Sequence, residues 1–149
     1  MKVFLKIFIG LFLIFLLTAC IGEKYDFTPP TVSLMTTTSL IEQELEEVNI
    51  DWHSDKDYTK ETKDVLAFAR EQEPLYFDSE QQVDLMFDSE DFLVKEISVS
   101  VWKNDEQVKL KLDKYRSFYM PNEKGDYLIE VNLLTDSGSA QYVGNVVIQ

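Results

Sequence analysis

The sequence predicts a mainly β chain: an antiparallel β-sandwich with one short inserted helix, preceded by a cleaved signal peptide. Three observations predict it. Beyond Pro74, five stretches place apolar residues with period two. Turn-forming Asn, Asp, Ser and Gly separate those stretches at intervals of about ten residues, the spacing of a sandwich and not of alternating β/α units. Near the N-terminus, Lys2 and Lys6 precede an apolar run over residues 7–17 that leads through Thr18 and Ala19 to Cys20, the charged, apolar and small-residue parts of a secretory signal.

The apolar or small residues of 7–22 number 16, below the roughly 20 that a helix needs to cross the hydrocarbon core. The order Leu17-Thr18-Ala19-Cys20 resembles the lipobox of bacterial lipoproteins, and the resemblance covers residues 1–22. It implies that the Cys20 thiol receives a diacylglyceryl group, that a peptidase cuts between Ala19 and Cys20, and that the chain is held on the extracytoplasmic face of the cell membrane. Two acyl chains hold a protein firmly where one holds it only marginally, at about 0.8 kcal/mol per buried methylene. The competing reading is an uncleaved N-terminal helix with an incidental cysteine. Cys20 is the sole cysteine, which excludes a disulfide within the chain and any multi-cysteine metal site.

Three segments follow: a signal peptide over 1–19, a lipidated N-terminus and tether over 20–30, and an acidic β domain over 31–149. Pro29-Pro30 forbids helix at the join. A first strand opens at Thr31-Val32-Ser33-Leu34, residues 35–40 show no clear period, and a second strand falls within 42–52, where its last five positions alternate. Acidic residues early, Arg70 late and apolar spacing at Val65, Leu66, Phe68 and Ala69 predict a helix over 58–73, although 65–68 also fits a strand. Further strands fall at 83–87, 97–101, 108–112, 127–133 and 142–148, with Asn104-Asp105 and Asp136-Ser137-Gly138 as hairpin turns. The unit from Gly125 to Val131 with its Gly-bearing turn and Ala140-Gln141-Tyr142 resembles the closing hairpin of bacterial immunoglobulin-like and PKD-like domains. That resemblance implies a tyrosine corner with Tyr127 as the clamp; the competing role of Tyr127 and Tyr142 is ordinary sheet packing.

Charge narrows the partners. The chain carries 14 Lys+Arg against 27 Asp+Glu, a net of −13; without Lys2 and Lys6, 12 basic residues face 27 acidic ones, a net of −15. Such a surface repels phosphate backbones, which excludes nucleic acid, and keeps the domain from lying flat on anionic lipid. The five glycines are scattered, so no phosphate-binding loop and no cofactor is expected. The one histidine, His53, stands in Asp51-Trp52-His53-Ser54-Asp55, but triads assemble from distant positions, so a surface histidine is expected.

Phe77-Asp78-Ser79-Glu80 recurs as Phe87-Asp88-Ser89-Glu90-Asp91. Placed on one edge, Asp78, Glu80, Asp88, Glu90 and Asp91 would share a weak cation; solvated turns are the ordinary alternative. The expected function is a non-catalytic binding module of the cell envelope with a protein partner, the alternatives being a cation-binding sensor and an envelope hydrolase. An exposed patch including Trp102, Phe118 or Tyr119 would favour the first, although Trp102 is expected in the sheet core.

Overall fold

The computed structural model describes residues 28–149; the signal segment and Cys20 lie outside the described residues. Those residues form, in order, β1 (Val32–Thr36), β2 (Ser39–Glu44), β3 (Glu46–His53), β4 (Asp57–Lys60), α1 (Val65–Arg70), β5 (Pro74–Phe77), β6 (Gln82–Phe87), β7 (Val94–Lys103), β8 (Glu106–Leu110), β9 (Ser117–Tyr119), β10 (Gly125–Thr135) and β11 (Gly138–Ile148). Two sheets result, and together they make the mainly β sandwich with one short helix that the periodicity predicts. The smaller has the order β2-β1-β6-β9 and the larger the order β4-β3-β11-β10-β7-β8. All of these pairings are antiparallel. β5 departs from that rule by pairing parallel with β11 at Asn145–Ile148, beyond the point where β3 leaves the same edge.

Period-two alternation explains the core. Val32, Leu34, Val83 and Leu85 of the smaller sheet face Val99, Val101, Ile129, Val131 and Leu133 of the larger, all within 2% of complete burial. The hairpins form where their turn residues predict. Lys103 pairs with Glu106 across Asn104-Asp105, whose φ values of 48° and 65° are those of a type I′ turn matched to strand twist.

The predicted helix over 58–73 is shorter than expected. Asp57–Lys60 joins the sheet instead, with Tyr58 opposite Trp52 and Thr59 opposite Asp51, because aromatic and β-branched residues fit a pleated edge better than a helix start. Thr62 then ties the chain down, its amide on Asn49 Oδ1 and its hydroxyl on the Val48 carbonyl. Asp64 caps the helix by accepting from the Ala67 amide at 2.9 Å. In β3 the register skips Val48 between Asn49, opposite Gln141, and Glu47, opposite Tyr142. This bulge accompanies the packing of Val48 with Ala69, Leu128 and Val143 under the helix, outside the main core.

The proline pair, assigned to the tether by sequence, is buried. Tyr142 is fully buried and donates to the Pro30 carbonyl at 2.6 Å. Burial pushes its phenol well above the usual tyrosine range. The packed domain therefore includes Pro29 and Pro30.

Candidate functional site

The larger sheet turns a polar stripe outward, and one carboxylate organises it. Glu130 on β10 is 8% exposed. Its Oε2 accepts the Trp102 indole N–H from β7 at 2.7 Å, and its Oε1 accepts the side-chain amides of Asn132 at 2.7 Å and Gln141 at 3.1 Å. The chain of bonds continues across the sheet: Asn49 on β3 donates to Gln141 Oε1 at 2.6 Å, and the Thr62 amide donates to Asn49 Oδ1 at 2.9 Å. Alternation puts Glu130, Trp102, Asn132, Gln141 and Asn49 on one face because register partners across antiparallel strands point the same way. A buried carboxylate demands several donors, and here three neutral ones supply them.

Grooves flank this network. One of about 610 Å³ runs between α1 and the β7–β8 turn and is lined in part by Arg70, Trp102, Asp126 and Asn145. The Arg70 guanidinium reaches Asp105 at 3.1 Å across it. A second, of about 370 Å³, is lined by Asn49, Ser98, Asn132, Ser139 and Gln141 among others. Amide, hydroxyl and indole groups provide hydrogen bonds and an aromatic surface, which is binding chemistry.

The sequence-predicted residues fall as follows. Cys20 lies outside the described residues. The two acidic turns are not brought together: Asp78 and Glu80 precede β6, whereas Asp88, Glu90 and Asp91 follow it, so about 20 Å of strand separates them. The shared cation site is thereby corrected, and among the described residues no group of three or more His, Cys, Asp or Glu side chains could hold a metal. The second of these turns has structural work instead. Asp88 accepts the Thr31 amide at 2.7 Å and Glu90 pairs with Arg116 at 2.5 Å.

His53 ends β3 with its side chain 56% exposed, Nε2 2.9 Å from Asp51 and Nδ1 2.8 Å from Asp57. The Asp57 hydrogen bond, followed by the charge of Asp51, raises its pKa above the ordinary 6.5. Of the three aromatic candidates, Phe118 is core at 1% exposure and Tyr119 is exposed, while Trp102 packs partly buried beside the helix. Tyr127 does form a corner: its hydroxyl donates to the Glu123 carbonyl at 2.8 Å.

Sequence reasoning missed Glu130. Its alternation marks it as outward-facing, and only the placement of Trp102, Asn132 and Gln141 on neighbouring strands reveals that this outward position is covered. Fold and site together define a β-sandwich module whose larger sheet bears polar grooves. No family model matches the chain, and no curated protein matches it.

Proposed function

We propose that this chain is a lipoprotein of the bacterial cell envelope: a non-catalytic binding module, anchored on the extracytoplasmic face by lipid on Cys20. One observation carries the reading, the order Leu17-Thr18-Ala19-Cys20 at the end of the apolar run of 7–17. The domain is of immunoglobulin-like type in this proposal. The Tyr127 corner supports that, as does the facing of β1-β6-β9 by β11-β10-β7-β8. The groove beside Trp102 is the proposed seat for an envelope protein partner, because it joins an indole to several hydrogen-bonding side chains. The test of the anchor is Cys20→Ser: incorporation of labelled palmitate is abolished and the protein leaves the membrane fraction. Unchanged labelling and unchanged fractionation would overturn the proposal.

A further inference from the structure

The described chain starts at one end of the sandwich, and three loops are laced together there. The Thr31 amide donates to Asp88 Oδ1 at 2.7 Å and the Asp88 amide returns a bond to the Thr31 carbonyl. Arg116 binds Glu90 and lies 4.7 Å from the Phe87 ring, which brings the 111–116 loop alongside. Leu93 and Asp136 exchange two bonds, Leu93 N to Asp136 Oδ1 at 2.8 Å and Asp136 N to the Leu93 carbonyl at 3.1 Å, which brings the β10–β11 turn to the same place.

This end is apolar at its tip. Leu93 and Tyr115, exposed by 74% and 73%, are the two most exposed large hydrophobic side chains among the described residues, and Leu134 and Val94 add 44% and 36%. These loops are held, not loose. Phe92 is anchored edge-on against Trp52 at 5.4 Å and packs on Phe87, and Asp113 accepts the amides of Tyr115 and Ser117. Lys114 lies over the Tyr115 ring, and Lys95 and Lys111 stand nearby in sequence. Tyrosine and lysine with exposed leucine is the combination that suits a membrane–water boundary.

We infer that this end of the domain, presenting Leu93, Tyr115, Leu134 and Val94, rests on the surface of the bilayer in which the chain is anchored. The inference depends on the lipid-anchor reading. From Cys20 to Thr28 the chain spans at most about 28 Å even when fully extended. A domain of this size is about 35 Å across, so the tether is shorter than the domain and favours the attached end facing the lipid. Tethering raises the effective concentration to roughly millimolar, where a contact of a few side chains is populated. Both charge signs occur at this end, so the fitting surface is a zwitterionic one.

The experiment uses the full chain reconstituted in phosphatidylcholine nanodiscs containing doxyl-labelled lipid. Acylation occupies the Cys20 sulfur, so a fluorophore reports from one introduced cysteine: Asp91→Cys or Lys114→Cys at this end, Asn122→Cys at the other. Quenching at 91 and 114 is expected to exceed that at 122 roughly two-fold or more, as for groups seated at the headgroup boundary. Adding Leu93→Asp and Tyr115→Asp brings the 91 label down to the level of the 122 label. Equal quenching at all three positions on protein that stays with the discs overturns the end-on contact and leaves the anchor standing. Protein that fails to join the discs, with Cys20 itself taking the fluorophore, overturns both.

Discussion

At the scale of single residues, His53 and Gly138 show how differently position governs consequence. His53 is pinched between Asp51 and Asp57, and its pKa is raised in the fold. A raised value means that the native state holds the proton more tightly than the unfolded chain. The resulting stability is complete below about 6.5 and is lost as pH rises through the folded value. The imidazole therefore titrates by NMR with a midpoint above 6.5, and Asp57→Asn lowers that midpoint. A wild-type midpoint at or below 6.5 would sink the account. The group is exposed, so the gain in melting temperature over His53→Gln is small and confined to the acid side. Gly138 is the opposite case. Its φ is +136°, and a Cβ there would lie 2.0 Å from the Asp51 carbonyl oxygen. Gly138→Ala should cost about 3 kcal/mol, combining backbone strain with a clash that the β3 main chain cannot relieve. Urea denaturation with an unchanged slope is the measurement. The sequence marked Gly138 as a turn residue but held no sign of its contact with β3, which arises only from pairing across 86 positions of chain.

At the scale of elements, legibility tracked how much of a segment's environment its own period records. β6, β7, β10 and β11 each keep an apolar face inward, so alternation located them. β8 alternates too but is an exposed edge, on which Val108 stays 58% exposed and only Leu110 is partly buried. β4, β5 and β9 have only three or four residues each, too few for a period, and they exist because a neighbouring edge receives them. The helix is shorter than its sequence pattern for a related reason: acidic residues before an apolar cluster resemble a first turn, whereas Thr62 and Asp64 stop the sheet and start the helix within three residues. The Glu130 network couples these elements, since it links β7, β10, β11 and β3 to the segment that carries Thr62. Glu130→Ala leaves the Trp102 indole and two amides without their acceptor in a covered site. The expected loss is about 2–3 kcal/mol. Because the network anchors the residues leading into α1, hydrogen exchange of the Ala67 amide, which Asp64 accepts, should accelerate more than that of core β10 amides. Uniform acceleration of both would show that the network supports only global stability.

At the scale of the whole molecule, charge is the property that no single contact expresses. Six of the 14 basic residues, Lys103, Lys109, Lys111, Lys114, Arg116 and Lys124, fall between positions 103 and 124, alongside only four acids, Asp105, Glu106, Asp113 and Glu123. The rest of the domain is strongly acidic. Repulsion among those acids is relieved when the chain unfolds and spreads its charge, so it opposes folding. Such repulsion acts over distances that salt controls: the Debye length is about 30 Å at 0.01 M, comparable to the width of the domain, and about 8 Å at 0.15 M. Raising sodium chloride between those limits should therefore raise the melting temperature, by about 4 °C if screening recovers about 1 kcal/mol. The ion must act generally. The acidic turns at the two ends of β6 are too far apart to share a cation, so calcium at matched ionic strength should stabilise no more than sodium does. A larger rise with calcium would mean that a specific site outweighs screening. A fall with salt would mean that the exposed pairs Arg70–Asp105 and Arg116–Glu90 outweigh the net charge, reversing the balance on which the electrostatic argument stands.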